Sequence, residues 1–195
     1  FSWLFYRGKC AHCQAKVSAR YLWIELFTLA MTFIPFMLFG LTEKAFIYVL
    51  LMWFFVVITV IDIEHQLILD SLSLPLLWLG LLVNMHFQYV EINSAILGAV
   101  AGYLSLWSVY HLFKLVTGKE GMGYGDFKLF AAIGAWFGVA ALSSILFIAA
   151  IVGIFWGVTS SRFSVGKINA YAFGPFLVFA TLVYLILLNL LPFTI

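Results

Sequence analysis

Two aspartates, Asp62 and Asp126, are the residues of this sequence best placed to do chemistry. Asp62 directly follows the uninterrupted apolar run of residues 53–61, and Asp126 lies just before another long apolar run. If these runs lie in a membrane, ionisable residues at their ends are costly to place and are functional by default. Two carboxylates brought together in a partly dry site share one proton, so one is an acid and the other a base. Such a pair can polarise a peptide carbonyl and deprotonate a water molecule, which is the chemistry of an aspartyl protease.

Asp126 belongs to a glycine-rich segment, because glycines alternate along the chain just before it at Gly121, Gly123 and Gly125. Glycine adopts positive φ readily and lets the backbone approach a neighbour closely. A peptide must be extended for hydrolysis, so we expect these glycines to give a substrate strand access to the carboxylate.

Lys128 and Asp70 have less specific interpretations. Lys128, two residues after Asp126, is expected either to tune the aspartate pair or to face lipid headgroups. Asp126 could simply be the N-cap of the helix that follows it. Beside a second aspartate on the same face, we interpret capping as at most an additional role of Asp126. Asp70 precedes a helical run and is interpreted as a cap rather than a catalyst.

Cys10 and Cys13 are the only two cysteines in the chain. A pair spaced in this way is either a redox site or half of a tetrahedral zinc site, and the spacing alone does not choose between them. Plain loop thiols are the third interpretation.

The composition excludes a soluble protein. Of the 195 residues, 65% are hydrophobic and only 9% are charged, and the mean hydropathy is +1.12. Soluble domains carry about 25% charged residues, so this chain cannot cover itself with a water-facing surface. Without a long basic run or a glycine-rich phosphate loop, nucleic acid and nucleotides are not expected partners. The lipid bilayer is the expected surrounding.

Long apolar runs predict the helices that must hold the aspartates. A bilayer core needs about 20 apolar residues per helix, and five runs come near this length: residues 21–41, 45–61, 71–90, 92–113 and 170–195. The uncharged run 129–161 would be about 50 Å long as one helix. It therefore predicts two helices that turn within residues 138–144. The predicted fold is an all-α, polytopic transmembrane bundle of about seven helices.

The positive charges predict the orientation of this bundle. Lys and Arg are enriched in cytoplasmic loops. With seven alternating spans, Lys44 alone lies on one side, and the other side holds Arg7, Lys9, Lys16, Arg20, Lys114, Lys119, Lys128, Arg162 and Lys167. The N-terminal tail, Asp62 and Asp126 are therefore expected on the cytoplasmic face.

Several motifs together resemble the type IV prepilin peptidase family. Residues 123–126 read GYGD, which is similar to the GxGD signature of intramembrane aspartyl proteases, and the longer stretch 118–128 continues to Lys128. Residues 61–82, with Asp62, look like the first aspartate region of that family. Residues 8–25 resemble the second half of its cytoplasmic cysteine domain, and residues 173–175 match a motif near its C-terminus.

The resemblance implies an enzyme of the bacterial inner membrane whose active site faces the cytoplasm. It implies cleavage of prepilins and pseudopilins by Asp62 and Asp126, with Gly123, Gly125 and Lys128 as motif residues. It also implies N-methylation of the new N-terminus with S-adenosylmethionine. Family members usually carry an earlier helix and a first cysteine pair, so we expect an N-terminal segment to be missing here. Residues 1–20 are then the remnant of the cysteine region, and residues 21–195 form the peptidase domain.

Two other classes of function remain open from the residues alone. In an ion- or metal-coupled transporter, Asp62, Asp70 and Asp126 would coordinate a cation. Transporters usually bind near the membrane midplane, whereas these acids gather at one face. A scaffold for pilus or secretion assembly would need neither aspartate.

Overall fold

Helices are the regular secondary structure of the described chain. A computed structural model describes residues 8–10, 12–118, 121–163 and 172–190, and within these ranges no strand is formed. Seven helices follow in order: α1 Arg20–Phe39, α2 Glu43–His65, α3 Asp70–Phe87, α4 Ile92–Thr117, α5 Tyr124–Phe137, α6 Val139–Phe163 and α7 Gly174–Leu190. The predicted all-α fold and the predicted number of seven helices are confirmed for the described residues, whereas a membrane crossing by each of the seven stays a prediction.

Four of these helices, α1, α2, α4 and α6, are long and apolar enough to cross a membrane. Of the others, α3 has 18 residues, α5 has 14 and α7 has 17. At a rise of about 1.5 Å per residue, α5 reaches only about 21 Å, less than a bilayer core of about 30 Å. Large apolar side chains such as Met37, Trp78 and Phe155 are exposed on the protein surface. The chain is therefore a multi-pass membrane protein.

The chain divides into two compact units, Phe1–Val60 and Ile61–Ile195, and the boundary falls within α2. In the first unit, the indole N–H of Trp53 donates to Thr32 Oγ1 at 3.0 Å. The rings of Phe36 and Phe46 meet edge to face. The second unit holds both aspartates. The predicted division at residue 20 stays a prediction.

The predicted break in the apolar run 129–161 is confirmed at Gly138. Helix α5 ends at Phe137, and α6 begins at Val139. Gly138 has a φ of 78°, a left-handed value that favours glycine. The Val139 N–H at the start of α6 donates to Ser94 Oγ of α4 at 3.3 Å.

Helix α5 forms the core of the second unit. Every residue from 129 to 137 is buried. Gly98 and Gly102 of α4 lie against its backbone, and a Cβ on Gly98 would overlap Gly134. Small residues four apart allow membrane helices to approach closely. The Gly98–Gly102 spacing thus indicates close helix packing, which was not predicted from the sequence.

Polar side chains join α3 to α5. The Asn84 amide donates to the carbonyls of Ala135 at 2.8 Å and Trp136 at 3.2 Å. These carbonyls lie in the last turn of α5, where no helical N–H remains to bond them. The Trp136 indole donates to the Leu76 carbonyl at 2.9 Å. Helix α5 is therefore held along its length by α3 on one side and α4 on the other.

The charge pattern is only partly within the described residues. Arg7, Lys119 and Lys167, three of the cations assigned to the cytoplasmic side, lie outside them. The last predicted span, residues 170–195, is described from 172 to 190. The orientation of the bundle therefore remains a prediction.

Candidate active site

One cavity in the second unit contains both predicted aspartates. Its volume is about 490 Å³. Its wall is built from the end of α2, the connection to α3, the glycine-rich segment that opens α5, and the residues before α7: Asp62, Gln66, Leu67, Ile68, Asp70, Gly121, Met122, Gly123, Tyr124, Gly125, Asp126, Lys128, Ala172 and Phe173. Residues 64 positions apart in sequence, Asp62 and Asp126, thus line the same space.

Asp62 lies in the last turn of α2 and is only 4% exposed. Its Oδ2 accepts the backbone N–H of Gly174 at 3.0 Å. Gly174 is the first residue of α7, whose first-turn N–H groups have no helical acceptor. The following Pro175 carries no N–H, and it lies in the first turn of α7.

Asp126 lies in the first turn of α5 and is 7% exposed. Its Oδ2 accepts the backbone N–H of Gly123, the N-cap residue of the same helix, at 3.2 Å. Asp126 is therefore not the N-cap residue, which corrects that interpretation, but its carboxylate accepts the N–H of the residue that is. The carboxylate is also close enough to Asp62 to interact with it electrostatically.

The two carboxylates are held in the same manner. In each, Oδ2 is fixed by one backbone N–H at the start of a helix, and among the described residues Oδ1 has no hydrogen-bond partner. Helix N-termini favour negative charge. Two buried carboxylates in mutual reach cannot both ionise readily. The arrangement therefore suits a pair that carries one negative charge and one proton.

None of the three glycines of the motif has a positive φ, which corrects that expectation. What matters at these positions is the space that a missing side chain leaves. Gly123 has φ −81°, and neither Gly121 nor Gly125 has a positive φ. A Cβ on Gly125 would lie 2.6 Å from Ile68 Cβ. A Cβ on Gly121 would lie 2.9 Å from the Phe113 ring, whereas one on Gly123 would meet nothing closer than Asp126 Oδ2 at 3.6 Å. Gly125 therefore lets α5 begin directly against the segment that follows α2.

Lys128 is paired with Asp70 at the edge of the cavity. Its Nζ lies 2.6 Å and 2.7 Å from the two carboxylate oxygens of Asp70. Asp70 is the first residue of α3, while the N-cap is Leu69, so the expectation that Asp70 caps this helix is wrong. The pair instead ties the start of α3 to the start of α5.

Aromatic rings support the first turn of α5. The Phe127 side chain is fully buried, and its ring centroid lies 5.6 Å from that of Tyr110 and 5.5 Å from that of Tyr124. Tyr110 belongs to α4, so this cluster fixes the turn that carries Asp126 against a neighbouring helix.

Cys10 and Cys13 lie in the first unit, in a tight turn. The Cys10 N–H donates to Ala15 O at 2.9 Å, and the Gln14 N–H donates to Cys10 O at 3.1 Å. Both thiols are free. Backbone N–H groups of Cys13 and His12 that point to its sulfur hold the pKa of Cys10 below its ordinary value. Among the described residues, no group of three or more His, Cys, Asp or Glu could hold a metal ion. Half of a tetrahedral zinc site therefore stays a prediction for the two thiols, as do a redox pair and plain loop thiols.

Two contacts of the site were not predicted from the sequence. Gly174 was noted only as part of a motif, although a glycine before a proline at a helix start was the available signal. Ile68, which lies against Gly125 and lines the cavity, has no sequence signal beyond its position between the two charged segments.

Comparison with known proteins gives the same family as the motifs. Residues 49–158 match the Type IV leader peptidase family, and residues 1–39 match the Bacterial Peptidase A24 N-terminal domain. A prepilin leader peptidase/N-methyltransferase of Dichelobacter nodosus is 47% identical over 179 residues, which cover 92% of this chain and 62% of that protein. Proteins of the same description from Stutzerimonas stutzeri and Pseudomonas aeruginosa are 46% and 45% identical, each over 180 residues, with the same coverage of 92% and 62%. The chain therefore spans somewhat less than two thirds of these relatives. No solved structure matches it.

Proposed function

We propose that this chain, which belongs to the type IV leader peptidase family, carries the peptidase centre of a membrane aspartic endopeptidase. Its substrates are the leader peptides of type IV prepilins and pseudopilins. The observation that carries the proposal is the pair of buried carboxylates, Asp62 and Asp126, in one cavity. The names of the similar proteins, prepilin leader peptidase/N-methyltransferase, support the substrate class.

The mechanism uses the two free carboxylate oxygens. A water molecule between Asp62 and Asp126 loses a proton to the ionised carboxylate as its oxygen attacks the scissile carbonyl carbon. The protonated carboxyl donates its proton to the carbonyl oxygen. The resulting diol then collapses and the C–N bond breaks. The first carboxyl returns its proton to the leaving amine, and one diol hydroxyl gives its proton to the second carboxylate, which restores the starting state. General acid–base help of this kind contributes about 10²–10⁴-fold to a rate.

Binding of an extended peptide is supported by the backbone around the cavity. Gly123, which lines the cavity, has ψ 149°, an extended conformation. Gly123 leaves open space beside Asp126, since a Cβ there would meet no atom closer than 3.6 Å. We propose that the leader lies along this side and that Gly123 gives it access to the carboxylate.

The proposed setting is the bacterial inner membrane, with the cavity on the cytoplasmic face. The support is the concentration of lysine and arginine in the loops on the side of Asp62 and Asp126, which is typical of cytoplasmic loops. The substrate's own apolar helix would remain in the bilayer while its leader enters the cavity.

N-methylation of the new N-terminus is a further proposal for the whole protein, and it rests on the names of the relatives. S-adenosylmethionine would supply the methyl group, and none of the described residues is assigned to it. A zinc ion would take Cys10 and Cys13 as two of its four ligands, with the other two from elsewhere. Zinc would stabilise residues 1–20 as a unit apart from the peptidase domain, residues 21–195.

The transporter alternative is less well supported by the site. It needs Asp70 as a ligand beside Asp62 and Asp126, but Asp70 is bound by Lys128. Among the described residues, no cluster of three or more metal-binding side chains occurs. A scaffold gives no reason for two buried carboxylates in one cavity.

The test is cleavage of a prepilin by the protein in liposomes. Asp62→Asn and Asp126→Asn each keep the size of the side chain, and we expect each to lower turnover by about 10³-fold or more. Glu91→Gln, on an exposed acid outside the cavity, is the matched control and should cleave like the wild type. Undiminished cleavage by both aspartate variants would refute the proposal.

A further inference from the structure

Gly174 contacts one of the two buried aspartates from a distant part of the chain. Its N–H donates to Asp62 Oδ2 across 112 residues of sequence, and both groups are buried. Asp126, in contrast, is held by Gly123, only three residues away. The orientation of Asp62 thus depends on how α7 docks, whereas that of Asp126 is set within its own helix.

A glycine is needed at this position because there is no room for a side chain. A Cβ on residue 174 would overlap Asp62 Oδ2, and it would come within 3.3 Å of Asp62 Cγ and 3.0 Å of Ile68 Cδ1. The φ of Gly174 is not positive, so backbone conformation does not require glycine. The missing side chain is what lets the N–H reach the carboxylate.

We propose that Gly174 is a positioning residue of the peptidase centre, and that the start of α7 holds Asp62 Oδ2 so that Oδ1 remains free for the water. This inference rests on the proposed function. Among its four first-turn residues, α7 lacks an N–H at Pro175, and the N–H groups of Phe176 and Leu177 turn back to Phe173 O. The Gly174 N–H is therefore the donor of this turn that is available to a group outside the helix.

A purely structural account of the same contact is that Asp62 only caps α7. The two accounts differ in what the loss of the contact changes. If Asp62 merely caps, the loss lowers the stability of the protein, and the molecules that remain folded turn over normally. If Gly174 positions Asp62, the folded molecules bind the leader normally and turn over slowly, because a displacement of about 1 Å in a reacting group costs about 10²-fold in rate.

The experiment compares Gly174→Ala with Gly157→Ala, each measured as full-chain protein in liposomes with a prepilin substrate. Gly157 is a helical glycine with no atom within 4 Å of the position that a Cβ would take, so it controls for the added methyl group. We expect kcat of Gly174→Ala to fall about 10²-fold with KM within about threefold, and Gly157→Ala to match the wild type. A normal kcat per folded molecule in Gly174→Ala would overturn the proposal.

Two further measurements keep the result interpretable. If Gly174→Ala does not fold, replacement of the Gly174 amide by an ester removes the N–H without adding a side chain, although it also weakens the Phe173 carbonyl as an acceptor. A charge-assisted hydrogen bond should then be lost at a cost of about tenfold or more in kcat, and an unchanged kcat would overturn the proposal. Asp62→Asn in the same assay tests the underlying function. If it cleaves normally, the aspartyl mechanism fails, whatever Gly174 does.

Discussion

Alanine at Gly125 should disable the site, while alanine at Gly123 should be tolerated, although both glycines belong to the same motif. A Cβ on Gly125 would lie 2.6 Å from Ile68 Cβ and 3.1 Å from Ile68 O. Carbon atoms in contact prefer about 3.5–4.0 Å, so the start of α5 must move by roughly 1 Å. Because Asp126 is the next residue, the displacement falls on a reacting group, where about 1 Å costs about 10²-fold in rate.

In Gly123→Ala the new Cβ would lie no closer than 3.6 Å to any atom, the nearest being Asp126 Oδ2, and the backbone angles of Gly123 suit any residue. The kcat of Gly123→Ala should stay within about threefold of the wild type. Any loss of activity should appear as a higher KM, because the added methyl group narrows the path of the leader. The assay is the initial rate of prepilin cleavage over a range of substrate concentrations, with the melting temperature of each variant as a check on folding. Equal losses of kcat in the two variants, or normal activity of Gly125→Ala, would refute the reasoning.

Three other predictions concern the supports of the site. Lys128→Met and Asp70→Asn should each lower the cleavage rate by less than tenfold, because a partly exposed ion pair contributes only about 0–1 kcal/mol. The double variant should lose no more than either single variant. Additive losses would contradict the pairing. Asn84→Leu should lower the free energy of unfolding by about 2 kcal/mol, since it leaves carbonyls at the end of α5 without donors, and denaturant titration of the protein in micelles measures this loss. Gly98→Ala should reduce the yield of folded protein because its methyl group would overlap the backbone of α5, whereas Gly157→Ala should leave the yield unchanged.

The helices could be predicted from the sequence because their signals are local. The lengths of the apolar runs predicted the number of helices. The run 129–161 is too long for one membrane helix, so it predicted a break, which falls at Gly138. Hydropathy did not reveal that α5, with 14 residues, is short and enclosed by its neighbours. That arrangement depends on the close approach of α4 at Gly98, a spacing that acts only once two helices meet.

The contacts within the site were harder to predict because they join distant residues. Lys128 and Asp70 are 58 positions apart, and each was interpreted from its immediate neighbours. Asp70 was interpreted as a helix cap, and Lys128 either as a residue that tunes the aspartate pair or as a headgroup contact. Gly125 was expected to allow positive φ and a close approach of a substrate strand, which are the usual local reasons for a glycine. Its actual reason, the closeness of Ile68, exists only in the folded chain.

Capping and catalysis are not competing roles for the two aspartates, because a carboxylate has two oxygens. In both Asp62 and Asp126, Oδ2 accepts an N–H at a helix start, and Oδ1 is left without a partner among the described residues. Asparagine retains one carbonyl oxygen, so it can still accept the capping N–H but cannot exchange a proton with water. Alanine loses both functions. We therefore expect the asparagine variants to be folded and inactive, and the alanine variants to be inactive and also less stable, by about 0.5–2 kcal/mol for a lost cap. If asparagine and alanine variants had equal melting temperatures, the N–H contacts would contribute nothing to the fold, and the double role of these carboxylates would be wrong.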